Sequence, residues 1–175
     1  GANLLSFRGI LNSTTNLILS RMEEGDSFEK AVAHCQAIGI AETDPSGDID
    51  GWDAAVKVAA LCSVLMERPL KPEQVSRTGI RQIHIDDIEK AKAEGRRWKL
   101  ICTARKAGGG VEAHVAPEKV GSDSPFFGVN GTSSAVQFET DVLGSLSVIE
   151  GNPGPKTTAY GLFADFLQIQ RQRKA

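Results

Sequence analysis

The chain has little cysteine, few aromatics and no long apolar run. Its three cysteines, Cys35, Cys62 and Cys102, are odd in number and far apart. That excludes a disulfide framework and gives no pair the spacing of a metal site. It fits reduced packing thiols in a cytoplasmic protein. The longest apolar stretch, 54–66, is broken by Lys57 and is too short to span a bilayer. No basic segment followed by an apolar core opens the chain, as it would in a signal peptide. Neither sign of charge is in excess. Twenty Lys and Arg against 22 Asp and Glu leave a net charge of −2. This gives no electrostatic basis for binding nucleic acid or an anionic membrane. No strand–GxGxxG–helix occurs, so the chain carries no dinucleotide loop. It begins Gly1-Ala2 rather than with methionine, as a processed product or a fragment would.

What is present suits one folded domain. At 175 residues, 41% hydrophobic and 24% charged, the chain is long enough to bury a sizeable core. Residues 3–9 read as an entry strand. Asn12 or Ser13 caps a helix through Leu17, Ile18, Leu19 and Met22, which Gly25 stops. Asp26 and Glu29 form a capping-box-like pair for a second helix carrying Phe28, Ala31, Val32, Cys35 and Ile38. A third helix runs from Gly51 or Trp52 to Met66, apolar on more than one face, and Pro69 and Pro72 end it. Val75–His84 reads as a strand, and Asp86 or Asp87 caps a short polar helix. Strands over 97–105 and 111–115 flank Gly108-Gly109-Gly110 as a hairpin, with His114 on its exposed face. A second hairpin joins 135–140 to 145–149, and a last helix starts near Thr157. This order predicts an α+β fold: a mixed or mostly antiparallel sheet with helices on one face.

The chemistry concentrates between Glu42 and Lys57. Asp44-Pro45-Ser46-Gly47 has turn composition, and Asp50 reads as the cap of the helix that follows. Asp53 and Lys57 stand four apart and share a helical face. Glu42 and Asp48 lie on the loop feeding it. On spacing alone a solvated acidic turn with one surface ion pair outweighs a binding corner, because most acidic loops are only loops.

Three signatures resemble homoserine dehydrogenase. Residues 9–16, Gly-Ile-Leu-Asn-Ser-Thr-Thr-Asn, are similar to GILNGTTN. The stretch from Ala41-Glu42 through Asp44-Pro45, Asp48, Gly51, Asp53-Ala54-Ala55 and Lys57 matches AExDPxxDxxGxDAxxK at every fixed position. Thr158-Ala159 leading to Asp165 resembles PTAxxxxxD. The likeness runs from about Leu4 to Gln170. It implies a substrate domain like the C-terminal catalytic domain of that family and the glyceraldehyde-3-phosphate dehydrogenase-like folds. Residues 1–155 would form the substrate-binding, catalytic and dimerisation unit. Residues 156–175 would be a helix packing back toward a nucleotide-binding domain that would precede Leu4. The implied activity interconverts L-homoserine and L-aspartate 4-semialdehyde with NAD or NADP, in threonine, methionine and isoleucine biosynthesis. The implied partners are a small amino-acid substrate and a second copy of the chain, paired through the sheet.

The resemblance assigns Lys57 to proton transfer at the substrate hydroxyl and Asp53 to an essential acid beside it. It assigns Glu42 to the substrate's amino group, and Asp48 and Thr14 to further substrate-side positions. Gly154 and Thr158 are the candidates on the cofactor side, and no metal is implied. The chain departs from the family pattern at four places. Ser13 stands for glycine, Ile40 for an aromatic and Ser134 for asparagine, while Asn152-Pro153-Gly154-Pro155 replaces a Gly-Ala-Gly run. Two other readings follow from the departures. One is a non-catalytic dimerisation module. The other is a related nicotinamide dehydrogenase acting on another small hydroxy amino acid. Alone, the chain is expected to be inactive, because hydride transfer needs a positioned cofactor. An enzyme with a cysteine nucleophile is disfavoured, since all three cysteines fall on packing positions.

Overall fold

The computed structural model describes residues 1–151 and 153–173. Six strands form one mixed sheet in the order β2-β4-β3-β1-β5-β6. The strands are β1 Leu4–Ile10, β2 Ser76–Arg77, β3 Arg97–Ala107, β4 Gly110–Val120, β5 Ser134–Thr140 and β6 Gly144–Glu150. All pairings are antiparallel except the short parallel one between β2 and β4. Both hairpins form as the sequence predicts, and β3 and β4 each extend beyond the predicted segment. The predicted strand over 75–84 shrinks to Ser76–Arg77. The rest of that segment turns instead of continuing along the sheet, and the Ile80 amide donates to the Ile49 carbonyl.

The helices are α1 Ser13–Glu23, α2 Phe28–Ala37, α3 Ser46–Ile49, α4 Trp52–Leu65, α5 Ile85–Ala93 and α6 Pro155–Gln172. Alternate strand residues, Phe7, Leu100, Cys102, Ala104 and Val115, meet Ile18, Leu19, Ala54, Ala55, Val58 and Cys62 in the main core. On the opposite face Ile10, Ile101 and Ala135 are capped by Phe126 and Val129 of the loop after β4. Beyond that loop the face is open, with Glu112 and His114 exposed.

Helix starts differ from expectation in an instructive way. Asn12 caps α1, its side chain accepting from the Thr15 amide, as predicted. Ser27, not Asp26, caps α2, and Asp26 is drawn into an ion pair with Arg21 at 2.5 Å. His84 occupies the cap position of α5, and Asp87 reaches back to accept from its amide. The cap of α4 is Gly51 at φ +82°, a conformation glycine adopts without strain. Asp50 is diverted to a two-pronged pair with Arg81, at 2.9 and 3.0 Å. The predicted turn at 44–47 tightens into one helical turn, α3, with Asp44 accepting from the Ser46 amide. One face of α4 is buried, while Val56, Val64 and Leu65 on the other are exposed. α6 begins at Pro155, two residues before expectation. Its apolar residues Leu162, Phe163 and Phe166 are all more than half exposed.

Lys99 is fully buried although charged. Its ammonium donates to the Val129 carbonyl at 2.6 Å and to Asn16 and Asn130 Oδ1 at 3.2 Å each, tying α1 to the loop after β4. Burial pushes its pKa down from 10.5 to about 8. The folded form therefore sheds this proton at lower pH than the unfolded chain. Between about pH 8 and 10.5 the unfolded state binds more protons, so this group's contribution to stability rises with pH. Replacing Lys99 by methionine removes that rise. The stability difference between wild type and variant should shift toward wild type by about 2–3 kcal/mol across the window. Urea unfolding at about pH 7.5 and at about pH 10.5, which together span the window, measures it. A difference independent of pH would refute the assignment.

Candidate active site

The site begins at the point where β1 ends and α1 starts. Asn12 is 4% exposed, and every hydrogen-bonding group of its side chain is used. Its Oδ1 accepts from the Thr15 amide and the Thr15 hydroxyl, both at 2.8 Å. Its Nδ2 donates to Asp48 Oδ1 at 2.6 Å and to Asp53 Oδ2 at 2.8 Å. The same Asp53 oxygen receives Lys57 Nζ at 2.7 Å, and Nζ also donates to the Leu11 carbonyl at 2.9 Å. An ammonium has three donors. These two contacts leave the third N–H of Lys57 without a partner among the described residues.

Around this chain of contacts lies a cleft of about 370 Å³, lined in part by Thr14, Ile40, Glu42, Asp44, Asp48, Asp53 and Lys57. Four carboxylates face one ammonium, so the cleft favours a cationic guest. Hydrogen bonds from the Ser46 side chain and backbone amide hold the Asp44 carboxyl below its ordinary pKa. Thr14 is buried, and its hydroxyl donates to the Ile40 carbonyl at 3.4 Å. Glu42 is exposed at the rim, where Gln36 Nε2 donates to the carbonyls of Glu42 and Thr43. The geometry thus joins Asp48 to Asp53 through one amide and leaves Glu42 apart. The loop-and-helix division of the sequence had put Asp48 with Glu42. No group of His, Cys, Asp and Glu among the described residues has the arrangement of a metal site.

A second cleft, about 540 Å³, adjoins the first across Ser13 and Lys57, which line both. Its other walls include Leu11, Leu61, Ser134, Glu150, Pro153, Thr157 and Thr158. Of the two cofactor-side candidates, Thr158 lines this cleft and Gly154 is half-buried outside its lining. Asn152, part of the unusual turn, lies outside the described residues. Apolar walls and hydroxyls suit a flat carboxamide-bearing ring. Among the described residues no cation but Lys57 lines the space, so these walls do not suit a pyrophosphate.

The three cysteines are buried. Burial raises the Cys35 thiol to about 11, the Cys102 thiol to about 12, and the Cys62 thiol as well. None is poised as a nucleophile. No described helix is long and apolar enough to cross a membrane. The sequence reading missed three parts of the site: the amide of Asn12 as a bridge between carboxylates, the Leu11 carbonyl, and Gln36 behind the loop. Only Asn12 carried a signal, and it was the signal of a helix cap.

The homoserine dehydrogenase family model matches residues 1–167. An NAD(+)-dependent homoserine dehydrogenase of Pseudomonas canavaninivorans is 38% identical over 172 residues, 98% of this chain and 49% of that protein. The homoserine dehydrogenase of Lactococcus lactis is 35% identical over 95% of this chain and 39% of its own length. The chain thus spans half or less of these two relatives. Among solved structures, the homoserine dehydrogenase of Thiobacillus denitrificans superposes with a TM-score of 0.92 at 31% identity. It covers 99% of this chain and 40% of that one. The Staphylococcus aureus homoserine dehydrogenase gives 0.90 at 30% identity, covering 99% and 44%. With sequence, fold and family model in agreement over nearly every residue, the chain belongs to the homoserine dehydrogenase family.

Proposed function

We propose that this chain is the substrate-side half of an NAD- or NADP-dependent homoserine dehydrogenase, with Lys57 as its proton-transfer residue. The observation that carries this reading is the position of Lys57 on the wall between two unlike clefts, one acidic and one apolar. The acidic cleft takes the amino acid. Glu42 at the rim binds the substrate ammonium, with Asp48 and Thr14 completing the substrate side. Besides the Lys57 ammonium, the amides opening α1 at Ser13 and Thr14 offer a positive element for the substrate carboxylate. C4 of the substrate then lies toward Lys57. In the reducing direction the spare N–H of Lys57 donates to the aldehyde oxygen as C4 is reduced to the alcohol. In the oxidising direction Lys57 Nζ takes the hydroxyl proton. Asp53 keeps Nζ in place through both directions. The second cleft suits a nicotinamide ring beside Thr158, and that ring, when bound, exchanges the hydride with C4.

The complete protein, assayed by nicotinamide absorbance with L-homoserine and with other small hydroxy amino acids, tests this. Homoserine should be preferred. Faster turnover of another hydroxy amino acid would move the assignment to that substrate. The chain alone should give no saturable NAD(P)H titration at micromolar concentration, since nothing among the described lining residues suits the pyrophosphate. A clear micromolar signal would refute this.

The remaining parts of the reading follow from surfaces. α6, with Leu162, Phe163 and Phe166 exposed, suits docking against a nucleotide-binding domain. The open face of the sheet suits pairing with a second copy. Buried free thiols suit the reducing cytoplasm.

A further inference from the structure

We infer that Asn12 is a positioning residue of this site, fixing Lys57 through Asp53, and that its cap of α1 is the lesser of its two roles. The inference rests on the proposed function above. Asp48 and Asp53 come from different elements, α3 and α4, and carry like charge. Two ionised carboxylates repel when they converge on one point, and donors between them offset that repulsion. Among the described residues the only such group in contact with both is Asn12 Nδ2, at 2.6 and 2.8 Å. Its orientation is unambiguous. The Thr15 amide demands an acceptor on one side of the side chain, and the two carboxylates demand a donor on the other. Asn12 is buried, so its bonds are not exchanged with solvent.

The consequence reaches Lys57 through a single atom. Asp53 Oδ2 accepts from Asn12 and from Lys57 at once. The Asp53–Lys57 pair is half-exposed and one helical turn apart, a kind of contact that is weak and mobile alone. Anchoring Asp53 to the buried start of α1, and Nζ to Leu11 O, leaves the ammonium one defined location. Small displacements of a reacting group cost heavily, about 100-fold per ångström-scale error.

Two substitutions separate this role from capping. Ser and Asp both cap helices well, and neither has an amide donor. In the complete protein, Asn12→Ser should lower kcat/KM for homoserine about 100-fold. The loss should fall mainly in kcat, with KM for the nicotinamide unchanged. Asn12→Asp keeps the shape and the cap but sets a third carboxylate against two others, so it should be worse than Asn12→Ser. A pure capping role predicts both variants near wild type. Homoserine turnover by Asn12→Ser within threefold of wild type would overturn the positioning role. A wild-type protein without homoserine turnover would overturn the proposed function, and the positioning role with it.

Discussion

Replacing Lys57 by alanine in the complete protein is expected to lower kcat for homoserine oxidation by about two to four orders of magnitude, the usual worth of a positioned acid–base group. The fold should be indifferent to the change. Lys57 and Asp53 retain 48% and 38% side-chain exposure, and an i,i+4 pair of that kind contributes only about 0.3–0.5 kcal/mol. Alanine is also the better helix former, and its methyl fits an exposed position of α4. Melting temperature should therefore stay within about 2 °C, given roughly 2–4 °C per kcal/mol at this size. Lys57→Arg sharpens the test. It keeps a cation beside Asp53 but holds its proton at every practical pH. If proton transfer is the role, arginine should be nearly as inactive as alanine. If charge alone is needed, arginine should restore most of the rate. Turnover of the alanine variant close to wild type would remove Lys57 from the mechanism.

The second large effect lies beneath the site. A methyl at Gly79 would stand 2.0 Å from the Ile49 carbonyl oxygen and 2.6 Å from the Asp50 Cα. Both are backbone atoms, and neither can swing aside. The approach is close because the Ile80 amide donates to that same Ile49 carbonyl at 2.9 Å. Arg81 then grips Asp50, and Arg77 stacks 3.5 Å from the Trp52 ring. Residues 77–81 are thus the floor on which α3 and α4 meet. Gly79→Ala should cost at least about 3 kcal/mol by overpacking. By thermal denaturation that is a drop of roughly 6–12 °C. Because the corner carries Asp48 and Asp53, homoserine turnover should fall with it. Gly128→Ala, whose methyl would meet nothing within 4 Å, is the control. A Gly79→Ala protein as stable as that control would contradict the packing described here.

What the sequence made legible was local. The Asn12 cap, the stop at Gly25, the glycine hairpin at 108–110 and the tight turn at 141–144 are each decided by residues within a few positions. The acidic corner was legible as composition, and as function only through its resemblance to a family. What stayed hidden depends on partners far along the chain. Asp50 is a good cap by type, yet Arg81 takes its carboxylate. Lys99 alternates like any strand residue, and only the fold reveals that it is buried under Asn16 and Val129. Gly79 carries no turn signal. It is glycine because a backbone passes within touching distance of it. Asn12 shows its cap in sequence and its second hydrogen-bonding side only in three dimensions.

The strand order has a consequence for how this corner comes into being. β1 is first in the chain and lies inside the sheet, between β3 and β5. Its partners are far downstream: Phe7 faces Ala104 on one side and Phe138 on the other. The substrate-side residues, from Asn12 to Lys57, precede β3 and β5 in the chain and leave the ribosome before them. The strand that ends at them stays unpaired until β3 and β5 exist. Such non-local pairing is slow to form, because long loops must close before any hydrogen bond is gained. The chemistry is written ahead of β3 and β5, and its geometry waits for them.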